Sequence, residues 1–198
     1  NLIKQGEKKA ILVSATGTGK TYASAFAVSD FKPKRFLFLV HREQIAKQSI
    51  DAYKHVFKDH EKFGLLSGNS KDYDADYLFS TIQTMSKDDV FKRYDKNHFD
   101  YIIIDEVHKA GALSYQKIFQ YFEPEFLLGM TASPQRSDGV NIYELFDNNI
   151  AHEIRLQEAL EEDLLCPFHY FGISDVEFEN GEIDDSFSDF NLLASDRR

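Results

Sequence analysis

An apolar run, Ala10 to Val13, breaks at Ser14 into SATGTGKT, and this junction limits the possible folds more than any other stretch of the chain. A strand that gives way to a glycine turn and then to a helix starting near Gly19 aims backbone N–H groups and the positive end of the helix at one point. A phosphate chain is the natural occupant of such a point. Thr16, Gly17, Thr18 and Gly19 form the turn, and the two glycines let the backbone bend tightly and approach phosphate oxygens. Lys20 then reaches the β and γ phosphates as a point charge, and Thr21 offers a hydroxyl to magnesium. Ser14 stands where the strict pattern carries glycine, so an ordinary structural turn is the competing reading. The context decides against it: a second buried run, Tyr101 to Ile104, ends in Asp105 and Glu106 of DEVH, which supply a carboxylate for the same metal.

The rest of the first 150 residues alternates in the same way. Ala10 to Val13, Phe36 to Val40, Tyr77 to Ser80, Tyr101 to Ile104 and Phe126 to Met130 are short and nearly continuous in apolar residues, as strands buried on both faces are. Thr21 to Phe31, Glu43 to Lys58, Lys87 to Tyr94 and Leu113 to Phe122 have the character of helices. Strand and helix in alternation predict a parallel sheet with helices on both faces and a ligand at the carboxyl ends of the strands. Beyond Ile150 a helix is expected over Ile154 to Leu165, stopped by Pro167, and then a strand over Phe168 to Ile173. Residues 174–198 are acidic, with phenylalanines and leucines spaced among polar residues, and read as a linker.

Composition excludes several classes. The chain has 198 residues and 42% hydrophobic content, enough for one core of ordinary size. No apolar run approaches bilayer length, and the polar start NLIKQGEKK has no signal-peptide pattern, so we expect no membrane partner and a cytoplasmic location. The lone Cys166 rules out an internal disulfide and suits a reducing compartment. The net charge of −10 is uneven: residues 151–198 hold 13 acidic residues against 3 basic ones, whereas the first 150 balance at 20 of each. A neutral body of this kind can still carry a local basic groove for a nucleic-acid strand.

Three further segments stand at strand ends: VHREQ from Val40, STIQT from Ser80, and GMTASP from Gly129. With SATGTGKT and DEVH they resemble, in order and spacing, the motifs of the DExH helicases and translocases of superfamily two. Within that group the run from Gly129 to Ile173 looks like a bacterial group of DEAD/DEAH-box helicases or type III restriction enzyme helicase subunits. The resemblance implies a RecA-like P-loop NTPase fold, a three-layer α/β sandwich with a mostly parallel sheet, over residues 1–173, and a second lobe to which the linker leads. It implies that ATP and magnesium are bound, with Asp105 holding the metal and Glu106 activating the attacking water. His108, Thr131 and Ser133 would couple the γ phosphate to the strand site, although each also has a plain structural reading as a cap or turn residue.

By the same resemblance His41, Arg42, Thr81, Gln83 and Thr84 would contact the phosphates and sugars of one strand, DNA rather than RNA, without reading bases. Gln83 and Thr84 have an alternative role as caps of the helix that follows. Arg136 belongs to local structure, because the arginine finger of such enzymes comes from the second lobe. Gln5 lies too near the loop to read adenine. The isolated chain should therefore bind nucleotide with almost no turnover. A regulatory nucleotide-binding module is the alternative, and Glu106 argues against it, since a switch without turnover needs no base.

Overall fold

The computed structural model describes residues 2–58, 62–134, 141–161, 170–177 and 183–190. Seven strands form one sheet: β1 (Lys9–Ser14), β2 (Phe36–Val40), β3 (Phe63–Leu66), β4 (Tyr77–Thr81), β5 (Tyr101–Ile104), β6 (Phe126–Thr131) and β7 (Ile150–Ile154). They lie in the order β3-β4-β2-β5-β6-β1-β7, and every pairing is parallel. Parallel neighbours need crossovers, and helices supply all of them except the link from β3 to β4. These are α1 (Lys20–Phe31), α2 (Glu43–Phe57), α3 (Ile82–Met85), α4 (Asp88–Phe91), α5 (Leu113–Tyr121) and α6 (Ile142–Leu145), followed by α7 (Leu156–Glu161).

The period of two along each strand divides the core into two layers. Phe36, Phe38 and Val40 of β2 join Ala25 and Val28 of α1 and Ala46 and Tyr53 of α2 in one cluster. Leu37 and Leu39 point the other way, into a cluster with Tyr115 and Ile118 of α5 and Ile142 of α6. Both faces are thus covered, which is why the central strands are apolar throughout. Each such side chain contributes roughly 1.5–3 kcal/mol on burial. Gly129, in the middle of β6, is fixed by space: a Cβ there would lie 2.4 Å from the ring of the fully buried Phe146.

The five expected strands are all present, and two more flank them. β3 contains Gly64, and β7, with the sequence IAHEI, is largely exposed. β3 is only four residues long with Gly64 inside it, although Leu65 and Leu66 are buried in opposite layers, and β7 mixes polar residues into an exposed margin, so neither shows the longer apolar run of the central strands. The helix expected from Ile154 starts two residues later, because Ile154 still pairs with Ser14 of β1. The helix expected over Lys87 to Tyr94 is one turn, Asp88–Phe91. Tyr94 leaves it to become buried, its hydroxyl donating to the Tyr73 carbonyl at 3.0 Å.

Residues 1–159 and 160–198 are separate compact units. The second contains an antiparallel hairpin of β8 (Tyr170–Glu177) and β9 (Ile183–Phe190), which occupies part of the stretch expected as a linker. Arg136, Cys166, Pro167 and the far end of that stretch lie outside the described residues. Among the described residues no helix is long and apolar enough to cross a membrane.

Candidate functional site

Because the whole sheet is parallel, the loops after β1, β2, β4, β5 and β6 emerge at one edge, and the expected nucleotide, metal, coupling and strand-contact residues lie in them or at their borders. The loop after β1 turns through Gly17 at φ 92° and Gly19 at φ 85°, both in the left-handed region open to glycine. No side chain caps α1, so its first N–H groups are left for a ligand. Thr16, Gly17 and Gly19 face solvent. Thr18 ties the loop, its hydroxyl donating to the Ala15 carbonyl at 2.7 Å and bonding to the Ser14 hydroxyl. The Lys20 ammonium donates to the Ser14 and Ala15 carbonyls at 2.8 and 3.0 Å, which holds it over the same loop, with Thr21 beside it on α1.

Asp105 follows β5, two strands away from β1 in the sheet, and its backbone N–H donates to the Leu39 carbonyl at 2.9 Å. Its Oδ1 accepts from the Glu106 N–H at 3.0 Å. Burial, reinforced by the Glu106 carboxylate, pushes the Asp105 carboxyl up to about 6 against the pull of Lys20 and Lys109. Lys20 shows the converse. Burial lowers its ammonium while Asp105 and Glu106 hold it up. For both groups burial outweighs the mutual attraction, so each is short of counter-charge. The structure therefore brings the two motifs into one electrostatic field.

That field fits a nucleotide with magnesium. Phosphate oxygens answer Lys20 and the uncapped helix start, and a divalent cation answers Asp105. Among the described residues no group of three His, Cys, Asp or Glu side chains forms a ready metal cage. Magnesium does not require one, since it commonly keeps waters and takes one or two protein oxygens together with the phosphates.

Glu106 occupies the left-handed region at φ 54°, which is rare for a residue with a side chain. The conformation brings its carboxylate to His108, with 3.1 Å between Oε2 and Nδ1. The same Nδ1 is 3.1 Å from the hydroxyl of Thr131, which is fully buried at the end of β6. Thr131 in turn accepts from the Ser133 N–H at 3.1 Å and donates to the Ser133 carbonyl at 3.2 Å. The three expected coupling residues are thus joined to Glu106 in one chain of bonds, with Ser133 taking part through its backbone.

The expected strand-contact residues divide into two sets. His41, Arg42 and Gln83 are exposed, and Gln83 Nε2 donates to His41 Nδ1 at 2.8 Å. Thr81 and Thr84 are each only 8% exposed and bond to one another at 2.9 Å below that surface. Gln83 and Thr84, read alternatively as caps, lie inside α3, and the residue at its start, Thr81, makes no side-chain cap bond. Lys109, absent from the sequence reading although it follows DEVH directly, shares this edge. Its charge, after burial, is the main force lowering His41, and it also acts on Asp105. A cavity of about 850 Å³, lined by Phe31, Phe99, Phe122 and Leu127 among others, contains none of these residues.

The comparisons with known proteins show the family to which this arrangement belongs. The chain belongs to the family described as type III restriction enzyme, res subunit, which matches residues 1–136, and it forms a RecA-like lobe of superfamily two. It is 26% identical to the putative ATP-dependent helicase IRC3 of Saccharomyces cerevisiae over 97% of the chain and 30% of that protein. It is 30% identical to the type I restriction enzyme EcoAI endonuclease subunit of Escherichia coli over 84% of the chain and 22% of that protein. The structure of a nuclease-deletion mutant of the type ISP restriction-modification enzyme LlaGI, in complex with a DNA substrate mimic, superimposes with a TM-score of 0.62. The identity there is 20%, over 82% of this chain and 19% of that one. The chain therefore spans under a third of these relatives.

Proposed function

We propose that the chain is the ATP- and magnesium-binding lobe of an ATP-dependent DNA translocase or helicase serving restriction or repair. The observation that supports this most is the shared field of Lys20 and Asp105, in which burial lowers the pKa of the ammonium and raises that of the carboxyl, shifts that a bound counter-charge reverses. Gly17, Gly19 and the first N–H groups of α1 receive the phosphates with Thr16 and Thr18, Lys20 neutralises the outer ones, and Thr21 and Asp105 hold the metal. Magnesium, when bound, supplies Lewis-acid polarisation of phosphate oxygens. Glu106 takes a proton from the attacking water at its carboxylate, and its bond to His108 passes the state of that carboxylate to Thr131 and Ser133.

His41, Arg42 and Gln83 offer the surface for a strand backbone, with Thr81 and Thr84 supporting them from below. DNA is favoured over RNA because the restriction enzyme to which the chain is structurally similar was captured with a DNA mimic. A second RecA-like lobe, reached through residues 174–198, supplies the arginine finger and the other wall of the groove.

The test is a steady-state ATPase assay of the 198-residue chain with and without single-stranded DNA, beside a nucleotide titration with and without magnesium. Magnesium-dependent binding with almost no DNA-stimulated turnover is expected, since a finger is worth about three to five orders of magnitude in related nucleotidases. Absence of nucleotide binding would sink the assignment, and brisk DNA-stimulated turnover would show that a finger is present within the chain or a second copy.

A further inference from the structure

Several tyrosines packed into this fold bond their hydroxyls to neighbours, and among the described residues one fully buried hydroxyl has no hydrogen-bond partner. Tyr53 bonds to Ser24 at 2.9 Å, Tyr77 donates to the Pro33 carbonyl at 3.1 Å, and Tyr121, the ninth residue of α5, donates to the Tyr94 carbonyl at 2.7 Å. Tyr115, the third residue of α5, is 2% exposed, and its buried hydroxyl meets no hydrogen-bond partner. An orphaned buried hydroxyl carries a penalty of about 1–3 kcal/mol that phenylalanine would avoid. The ring packs in the cluster of Ile104 and Val107, the residues that bracket Asp105 and Glu106. After burial, the charges of those two carboxylates, Asp105 first, are what push the phenol up to about 12.

We infer that Tyr115 is a positioning residue for the metal site, its hydroxyl donating to the Asp105 carboxylate through a shared water and so holding that carboxylate in the orientation that receives a divalent cation. The inference rests on the nucleotide-site reading given above and deepens it. Partners of this kind fix the direction of a metal-ligating carboxylate, and their loss weakens metal binding by about 10- to 100-fold while the ligand itself remains. The hydroxyl that is unsatisfied in the protein alone is then satisfied in the loaded site, so the penalty falls on the resting state and favours loading.

The experiment compares Tyr115→Phe with Tyr121→Phe, a change on the same helix that removes a hydroxyl already satisfied by the Tyr94 carbonyl. Nucleotide binding is titrated over a range of magnesium concentrations, Mn2+ binding in the presence of nucleotide is read by electron paramagnetic resonance, and unfolding is measured without ligand. For Tyr115→Phe the metal concentration at half-saturation should rise roughly tenfold. Its metal-free nucleotide affinity should be unchanged, and its unfolding midpoint equal to or above that of the parent. Tyr121→Phe should lower the midpoint and leave the metal requirement alone. A Tyr115→Phe protein that folds and keeps the parental metal requirement overturns the inference, as do equal shifts in both variants, which would mean general loosening of α5. If the parent itself binds nucleotide without any dependence on metal, the nucleotide-site reading fails first and this inference with it.

Discussion

The loops after β1 and β5 meet at the same edge of the sheet, and they enter the left-handed region by opposite means. The first does so with Gly17 and Gly19, where a Cβ on Gly19 would touch nothing within 4 Å, so conformation alone requires glycine. The second does so with Glu106 at φ 54°, a residue that is strained there and would be relieved by glycine. The difference follows from what each loop presents. A phosphate cradle works through backbone N–H groups and needs no side chain at its turns, whereas the loop after β5 must deliver a carboxylate at its turn and accepts strain to do so.

The largest expected effect tests that division directly. Glu106→Gln preserves shape and one hydrogen bond but removes the base, so in a two-lobed protein containing this chain hydrolysis should fall by about two to four orders of magnitude. Nucleotide affinity should stay near the parental value, and a pre-steady-state assay separates the two. Near-parental turnover would place the base elsewhere and leave the strain at residue 106 unexplained. Lys20→Ala is next. It removes the cation from the first loop, whose backbone is already shaped by the glycines, so the fold should persist. Affinity for ATP with magnesium should drop by roughly one to two orders of magnitude, the worth of a hydrogen bond to a charged group. Calorimetric titration measures it.

The same contrast explains what was legible in the sequence. Gly17, Gly19, Lys20, Asp105 and Glu106 were visible because each loop follows a continuous apolar run, and the structure places them at one edge as the spacing implied. The bond from His108 to Thr131 joins residues 23 apart and depends on β5 and β6 being neighbours, which motif order does not state. The pairing of Thr81 with Thr84 below the surface was hidden because threonine suits both a buried turn and an exposed contact. Tyr115 was hidden for a related reason: at helical spacing from Ile118 and Phe122 it reads as plain core, and only the missing partner of its hydroxyl sets it apart.

Protonation gives a smaller effect with a definite sign. The Asp105 carboxyl sits at about 6, above its ordinary 3.8, so between these values the folded protein binds the proton more tightly than the unfolded chain. The stability this contributes is complete below about pH 4 and is lost as pH rises through about 6. Asp105→Asn, neutral at every pH, should therefore unfold later than the parent at pH 7 to 8. The gain should be about 1–2 kcal/mol, allowing for partial solvent screening, and should fade as pH approaches 4. Denaturant midpoints across that range check it. A gain that persists undiminished at pH 4 would show that packing, not charge, sets the difference.

The smallest effect returns to the backbone of the two loops. Glu106→Gly replaces a strained residue with one that adopts φ 54° freely, recovering part of the roughly 1–2 kcal/mol that a left-handed conformation costs an L-residue. Glycine also loses more entropy on folding, by about 0.5–1 kcal/mol, so the net gain should be no more than about 1 kcal/mol. Gly19→Ala makes the reverse exchange and should lose about 1 kcal/mol, since open space around the added methyl leaves only the conformational term. Unfolding midpoints of the two variants should thus move in opposite directions from the parent. If Glu106→Gly is destabilised instead, the bond from Oε2 to His108 contributes more than the strain removes. Glu106→Gln keeps the φ angle and a partner for His108, so the gap between its midpoint and the parent's measures the charge alone, and the gap to the glycine variant measures the bond together with the backbone term.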